Sequence, residues 1–216
     1  MTDTLDILQA RASVKEYDTN APISKEELTE LLELATKAPS AWNLQHWHFT
    51  VFHSDESKAA LLPVAYNQKQ IVESSAVVAI LGDLKANENG EDVYAELANQ
   101  GFITDEIKQT LLGQINGAYQ SEQFARDSAF LNASLAAMQL MIAAKAKGYD
   151  TCAIGGFNKE QFQKEFDISE RYVPVMLISI GKAVKPAHQS NRLPLTKKSV
   201  NLAVNLRKTL VRKNTD

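Results

Sequence analysis

The sequence predicts an α+β fold, because helices and strands are interspersed without the regular βαβ alternation of a doubly wound sheet. Three segments are β-rich and are predicted as strands, at residues 47–52, 76–81 and 173–180. Residues 124–147 give the longest helical pattern, and its apolar side chains cover more than one face. A helix of that kind is buried within a fold or at a subunit interface.

The first helices have clear local signals. A short helix is predicted over residues 3–10. A second begins after Ser24, an N-cap with Glu27 three residues later, and apolar residues follow at helical spacing until Pro39 ends it. Further short helices are predicted at residues 57–62, 67–74, 104–119 and 158–166.

The chain predicts one domain over residues 1–216, since its length suits a single sizeable core. Residues 86–101 are polar, and with the helix that follows they predict a helical excursion at about 86–119. Gly148 caps the long helix, and residues 150–157 enter a strand or loop. Residues 193–216 are predicted as a C-terminal extension.

Composition excludes several classes of protein. Hydrophobic residues make up 44% and charged residues 23%, with a net charge of −3 and no long basic run, so nucleic-acid binding is not expected. Cys152 is the only cysteine, which excludes an intrachain disulfide and a cysteine-based metal cluster. The start resembles no signal peptide, and apolar runs such as 76–81 are too short to cross a bilayer. We therefore expect a cytoplasmic protein without a membrane partner.

The segment from Arg11 to Lys15 is the most informative motif. It places two cations and the Ser13 hydroxyl within five residues. This chemistry suits an anion that also needs hydrogen bonds, such as a phosphate or an electron-rich ring edge. The alternative is a solvated helix end.

Two loops offer further candidates. The run from Pro39 to Trp47 contains Ser, Asn and Gln side chains and two tryptophans, so it could bind a flat polar ligand or be a polar loop anchored by a core Trp. The Gly155-Gly156 pair could let the backbone approach a flat ligand closely, or form only a turn. Arg192, near Lys197 and Lys198, could bind a phosphate or be a surface arginine.

Other chemistries have weaker support. His46 and His48 would share one face of a strand, but zinc needs a third ligand and none stands close in sequence. The chain has no G-x-S-x-G elbow, no G-x-G-x-x-G fingerprint and no P-loop, which disfavours a hydrolase and a P-loop enzyme. Cys152 suits a packed core thiol better than a nucleophile.

The ordered set of motifs resembles the nitroreductase family of FMN-dependent NAD(P)H oxidoreductases. The set consists of R-A-S-V-K-E-Y, A-P-S-A-W-N-L-Q-H-W-H-F, G-Y-D-T-C-A-I-G-G-F and the late Arg192, and it spans about Ile7 to Arg192. The resemblance implies a mostly antiparallel sheet wrapped by helices, in an intertwined homodimer. It also implies two FMN sites at the dimer interface, each built from both subunits.

The resemblance also implies the role of each site residue. Arg11 and Ser13 would hold the phosphate and ribityl region with Arg192, while Lys15 would lie near N1 and the C2 carbonyl of the flavin. Ser40 and Asn43 would come from the partner subunit, Asn67 and Gln70 would meet the pyrimidine edge, and the 154–156 segment would lie against the ring. The cofactor-binding set is therefore Arg11, Ala12, Ser13, Lys15, Pro39, Ser40, Ala41, Asn43, Asn67, Gln70, Ile154, Gly155, Gly156 and Arg192.

The implied activity is reduction of nitroaromatic, quinone or similar electron-poor acceptors with NAD(P)H, by a ping-pong mechanism. The protein needs no catalytic nucleophile or base, because hydride transfer is the chemistry of FMN, tuned by Lys15, and no metal site is expected. Alternatives are an enone reductase or dehalogenase with the same fold, or a non-catalytic flavin-binding protein. His46 replaces a common Pro, Gln70 replaces a Lys of some members, and Gly155 replaces a Glu of some members. The choice of NADH or NADPH and of acceptor stays open, and the 86–119 excursion would border the substrate entrance.

Overall fold

A four-stranded antiparallel sheet forms the centre of the described chain, in the order β1-β2-β4-β3. The computed structural model describes residues 3–188 and 190–199. The antiparallel pairings are β1 with β2, β2 with β4, and β3 with β4. The strands are β1 (Trp47–Phe52), β2 (Ala76–Asp83), β3 (Asp150–Ile154) and β4 (Tyr172–Gly181). The predicted α+β class and antiparallel sheet are thus confirmed.

Helices surround this sheet, and most begin at a capping side chain. Ser24 Oγ accepts a hydrogen bond from the Glu27 N–H at 3.1 Å, and the Glu27 carboxylate accepts one from the Ser24 N–H at 3.2 Å, so the predicted capping box is present. Three short 3₁₀ segments cover Ala41–Asn43, Ala86–Asn89 and Leu195–Lys197. The helices are α1 (Thr4–Ala10), α2 (Lys25–Ala35), α3 (Asp55–Val64), α4 (Gln70–Glu73), α5 (Gly90–Asn99), α6 (Asp105–Ala118), α7 (Glu122–Ala146) and α8 (Lys159–Glu165).

Two predicted helix boundaries are wrong. Helix α2 ends at Ala35, before the predicted end at Pro39, because the chain tightens into a turn in which the Lys37 and Ala38 N–H groups donate to the Leu34 and Ala35 carbonyls, each at 3.2 Å. The helix predicted over 67–74 covers only α4, since Tyr66 and Asn67 adopt left-handed backbone angles with φ of 54° and 55°. These two residues form a turn after α3, and Asn67 N–H donates to the Leu62 carbonyl at 3.0 Å.

The core lies on both faces of the sheet, and every residue of β2 is buried. On one face α7 packs through alanines, and a Cβ added at Gly82 would lie 2.8 Å from the carbonyl oxygen of Ala129. On the other face Leu61, Phe162 and Leu177 belong to a second apolar cluster. The small residues of α7 therefore allow close approach to β2.

Helix α7 also has an apolar face that is exposed. Leu131, Leu135 and Met138 are 62%, 40% and 42% exposed. By length and composition α7 is long and apolar enough to span a membrane, a test that a buried core helix also passes. The opposite face of α7 packs against α2 and the sheet, so it is the central helix of this fold.

The predicted excursion is helical and has a small core of its own. It contains α5 and α6, and Ala86, Tyr94 and Ile115 are buried there together with Leu44. Residues 200–216, most of the predicted C-terminal extension, lie outside the described residues.

Candidate functional site

The Arg11–Lys15 segment runs beside the edge strand β3. The Val14 N–H donates to the Thr151 carbonyl at 3.0 Å, and Ser13 forms a parallel bridge with Thr151. Val14 is buried, so the alternation of an extended segment leaves Ser13 and Lys15 on the exposed side. Because the pairing is parallel, Lys15 lies towards the carboxyl end of β3, where the chain continues to the two glycines.

The segment makes this edge of the sheet positively charged. Among residues 3–188 and 190–199, neither Arg11 nor Lys15 forms an ion pair. Both cations lie close enough to the buried Cys152 thiol to act on it. Burial raises the pKa of Cys152, while the charge of Lys15, the hydroxyl of Ser13 and the charge of Arg11 act in the opposite direction. Two cations and a hydroxyl thus converge beside β3, as a phosphate or anionic ring would require.

Gly155 and Gly156 follow β3 directly and are exposed. A Cβ added at either glycine would meet no atom within 4 Å. The backbone here therefore borders open space, and a flat ligand can approach it without a side chain in between. The buried Ile154 and Phe157 anchor the two ends of this loop.

Gln68 holds the loop of Gly155 and Gly156, the glycine loop, in place. This role of Gln68 was not predicted from the sequence. Its side-chain N–H groups donate to the Gly156 carbonyl at 2.7 Å and the Ala65 carbonyl at 2.8 Å, and its oxygen accepts from the Gln70 amide at 3.0 Å. Gln70 is buried, whereas Asn67 is exposed at the end of the left-handed turn. The 67–70 turn therefore does lie beside Gly156, but Gln68 makes the contact. The only signal in the sequence for this role was that Gln68 lies in a run of polar residues.

The 40–45 loop has an unusual backbone. Trp42, Asn43 and Gln45 have φ values of 52°, 55° and 52°, a region that costs energy for residues other than glycine. Ser40 Oγ accepts a hydrogen bond from the Gln45 N–H at 3.0 Å. Such a backbone persists only where the surrounding structure fixes it, and this happens most often at functional sites.

Neighbouring elements hold that loop in place. Asn132, which is buried in α7, accepts from the Ala41 N–H at 2.9 Å. From the excursion, the Tyr94 hydroxyl donates to the Trp42 carbonyl at 3.0 Å, and the Asn89 amide donates to the Leu44 carbonyl at 2.9 Å. The loop is thus rigid, and it is attached to the excursion.

The loop and the cationic segment lie at opposite edges of the sheet. The loop leads into β1, whereas the segment from Arg11 and the two glycines flank β3. Three strand spacings separate β1 from β3, about 14 Å. Within one chain, Ser40 and Asn43 are therefore separated from Arg11, Ser13 and Lys15.

Comparison with known proteins identifies the family to which this chain belongs. The model of the family described as "Nitroreductase family" matches residues 8–182. This chain belongs to the nitroreductase family. The resemblance inferred from its motifs is confirmed.

Individual members of the nitroreductase family are similar over almost their whole length. A Bacillus subtilis (strain 168) protein named "Putative NAD(P)H nitroreductase YodC" is 94% identical over 199 residues, covering 92% of this chain and 98% of that protein. The "CLA biosynthesis enone reductase" of Lactiplantibacillus plantarum is 36% identical over 192 residues, covering 86% and 88%. A crystal structure from Exiguobacterium sibiricum 255-15, described as a putative nitroreductase in complex with FMN, is 44% identical with a TM-score of 0.86, covering 93% of this chain and 97% of that one.

Arg192, the last motif of the nitroreductase set, makes only local contacts. Its guanidinium donates to the Ser190 hydroxyl at 2.8 Å and to the Asn191 carbonyl at 3.0 Å. The side chain is exposed. Its role in a phosphate clamp with Arg11 remains a prediction.

The histidine pair does not have the geometry predicted for it. His46 precedes β1 and is fully buried, and neither of its ring nitrogens has a hydrogen-bond partner within the described residues. His48 is exposed and stacks on Tyr172 with ring centroids 4.5 Å apart. Within the described part of the chain no group of three His, Cys, Asp or Glu could hold a metal ion. The two histidines thus have different surroundings, and the zinc alternative gains no third ligand.

Proposed function

We propose that this nitroreductase-family chain is an FMN-dependent oxidoreductase that uses NAD(P)H to reduce nitroaromatic, quinone or similar electron-poor acceptors. One observation carries the proposal: Arg11 and Lys15, without ion-pair partners in the described residues, flank strand β3, which leads directly into the open backbone of Gly155 and Gly156. The similar Exiguobacterium protein in complex with FMN and the similar Bacillus protein named for NAD(P)H support the same function.

Arg11 and Ser13 bind the phosphate end of the cofactor. A phosphate monoester carries close to two negative charges near neutral pH, and a guanidinium can donate two parallel hydrogen bonds to it. Ser13 is exposed beside Arg11 and supplies a hydroxyl donor. Arg192 joins them if its local contacts with Ser190 and Asn191 are released.

Lys15 acts on the ring end of the cofactor. When bound, FMN supplies the redox chemistry, taking a hydride from NAD(P)H and giving it to the acceptor. With FMN bound, Lys15 would place its positive charge near N1 and would thereby favour the reduced, more negative form. Gly155 and Gly156 leave room for the ring, and Gln68 holds their loop at Gly156. Reductant and acceptor use the same open face in turn, which makes the kinetics ping-pong.

The functional unit is a homodimer with FMN at the interface. Two observations support this: Ser40 and Asn43 lie at the opposite edge of the sheet from Arg11, and α7 exposes Leu131, Leu135 and Met138 in one apolar stripe. Exposed apolar surface of this kind marks an interaction site. A second copy that covers the stripe brings its own Ser40 and Asn43 to the cofactor, and we place this dimer in the cytoplasm.

The dimer has a direct test. Leu135→Asp puts a charge into the apolar stripe and should give a monomer in analytical ultracentrifugation that retains no FMN. Ile107→Asp, the same change at an exposed position of α6, is the control and should stay dimeric. A dimeric Leu135→Asp variant with full FMN content would contradict the assignment of this face.

A second acceptor class has specific support. The chain is 36% identical to an enone reductase, and the crystal structure of an enone reductase named CLA-ER superposes with a TM-score of 0.85 at 33% identity. An enone is also an electron-poor conjugated acceptor, so the same site could reduce it. Steady-state rates on a nitroaromatic, a quinone and an enone, compared as kcat/KM, separate the two activities.

Cofactor binding tests the proposal itself. Purified protein stripped of flavin should bind about one FMN per subunit in a fluorescence-quenching titration and become yellow. A protein that is colourless as purified, and stays colourless after FMN is added, would overturn the proposal.

A further inference from the structure

Two cations share one aromatic ring close to the Gly155-Gly156 loop. The Arg126 guanidinium carbon lies 4.9 Å from the Phe130 ring centroid, and Lys159 Nζ lies 5.1 Å from the same centroid. Lys159 Nζ is also 6.0 Å from the Phe157 ring, and Phe157 directly follows Gly156. Lys159 lies three positions after Gly156, so the Cα atoms of the two residues are at most about 10 Å apart. Lys159 therefore lies near the loop that carries the two glycines, and Arg126 lies near it across the Phe130 ring.

Within residues 3–188 and 190–199 no carboxylate forms an ion pair with either cation. Burial lowers the pKa of Lys159, and the nearby charge of Arg126 lowers it further. Lys159 is half-buried and Arg126 is exposed, and like charges held near each other are unfavourable for the protein alone. An anion bound between them removes that repulsion.

The position of the pair indicates which anion this is. The glycine loop borders the flavin ring in the proposed site, and the nicotinamide of the reductant must reach that ring. In a pyridine nucleotide only one ribose and its methylene separate the nicotinamide from a negatively charged diphosphate, and NADPH carries a further phosphate on its second ribose. The phosphates must therefore lie close to the ring site, and Lys159, three positions after Gly156, is a cation near that site together with Arg126.

We propose that Arg126 and Lys159 bind a phosphate of the NAD(P)H reductant, with Phe130 positioning both cations. The inference rests on the proposed function, and it adds a nucleotide-binding role for residues outside the set implied by the motifs. The competing explanation is structural, since cation–π contacts can also stabilise the fold. That explanation predicts a loss of thermal stability and no effect on nucleotide affinity.

Variants that remove each charge test the inference. The proteins are Arg126→Gln, Lys159→Gln and the double variant, all loaded with FMN and checked for flavin content by absorbance. Lys164→Gln, at an exposed position of the same helix α8, controls for net charge. Calorimetric titration with NADP⁺ and NAD⁺ measures binding without turnover, and anaerobic stopped-flow reduction measures the apparent affinity for NADPH and NADH.

We expect the double variant to weaken nucleotide binding tenfold or more and to leave the limiting rate of flavin reduction at saturation unchanged. Loss confined to NADP⁺ and NADPH assigns the pair to the extra phosphate, and equal loss for both nucleotides assigns it to the diphosphate. Added salt should weaken binding to the wild type more than to the double variant.

The inference would be overturned by unchanged affinities in the double variant or by an equal loss in Lys164→Gln. Failure of the proposed function looks different, because the wild type would then bind FMN without being reduced by either nucleotide. The calorimetric titration still decides the inference in that case, and a wild type that binds neither NADP⁺ nor NAD⁺ refutes it.

Discussion

The side-chain amide of Gln68 donates a hydrogen bond to the main-chain carbonyl of Gly156, with 2.7 Å between the two atoms. This contact joins the turn after α3 to the loop after β3, across 88 residues of sequence. The same side chain bonds Ala65 and Gln70, so it fixes both loops at once. It gives the glycine loop a defined position beside the proposed cofactor.

Gln68→Leu keeps the size of the side chain and removes its hydrogen bonds. We expect FMN affinity to fall by about 5-fold, because one hydrogen bond contributes about 1 kcal/mol and its loss lets the glycine loop move. Fluorescence-quenching titration measures this. Gln161→Leu, at an exposed position of α8, is the matched control and should bind FMN normally. Equal affinities in the two variants would show that the loop keeps its position without Gln68.

Arg11→Ala tests the phosphate end of the site. We expect FMN binding to weaken by about 1.5–3 kcal/mol, the range for a hydrogen bond to a charged group. Lys37→Ala, which removes an exposed cation beyond the end of α2, should have no effect on the dissociation constant. Unchanged FMN affinity in Arg11→Ala would make Arg11 an ordinary surface residue.

Arg171 connects the core to the start of the excursion. Its guanidinium donates to both oxygens of the buried Asp83, at 2.8 Å and 2.7 Å, and to Glu88 at 2.8 Å. Arg171→Met leaves Asp83 as a buried charge without this partner, so we expect the free energy of unfolding to fall by about 2–3 kcal/mol. That is below the full cost for a buried pair, because Arg171 is partly exposed.

Urea unfolding measures the effect of Arg171→Met. Lys147→Gln, which breaks the more exposed ion pair with Glu30, is the control and should change stability by at most about 1 kcal/mol. Similar losses in the two variants would mean that the Arg171–Asp83 pair contributes no more to stability than the exposed Lys147–Glu30 pair.

Two glycines should respond in opposite directions to alanine. At Gly82 the new Cβ would lie 2.8 Å from the Ala129 carbonyl oxygen, so Gly82→Ala should cost about 1–3 kcal/mol of unfolding free energy by forcing α7 away from β2. At Gly113, in α6, the Cβ would meet nothing within 4 Å, so Gly113→Ala should stabilise by about 0.5–1 kcal/mol. Thermal unfolding compares the two, and a stable Gly82→Ala variant would contradict the close packing.

The buried His46 should make the protein sensitive to acid. Burial lowers the pKa of His46 from 6.5 to about 4, and the charge of Asp83 opposes the shift only in part. The folded state binds the proton of His46 less tightly than the unfolded state does. The stability that depends on a neutral His46 is therefore fully present above pH 6.5. It is lost as the pH falls from 6.5 towards 4, by about 2–3 kcal/mol in all.

His46→Phe isolates this effect from the carboxylates that also titrate. Urea unfolding at pH 7.5 and pH 4.5 should show a smaller loss of stability in the variant than in the wild type. The same loss in both proteins would mean that His46 is not responsible.

Local signals predicted most of the fold, and long-range contacts account for what they missed. The strand at 47–52 and the Ser24–Glu27 capping box were predicted from neighbouring residues, and both are present. The prediction of a helix over 67–74 is wrong at its start, because Asn67 has left-handed backbone angles. The identity of a residue other than glycine does not predict such angles. Gln68 was missed because its partner Gly156 is distant along the chain.

The candidate site likewise contains features that local sequence predicts and features that depend on long-range contacts. The segment around Arg11 and the two glycines could be predicted, since charge and flexibility are properties of the residues themselves. Their meeting at one edge of the sheet depends on the order β1-β2-β4-β3, which no local pattern fixes. The pair of Arg126 and Lys159 depends on the packing of α8 near α7, and so it was not predicted either.

Anaerobic mixing of the FMN-loaded protein with NADH or NADPH tests the central claim most directly. The proposed function predicts that the visible absorption of the bound flavin is bleached in a single turnover without any acceptor, and that it returns when a nitroaromatic, quinone or enone is added. Bound flavin that keeps its full absorption with both nucleotides would contradict the enzyme and leave a flavin-binding protein.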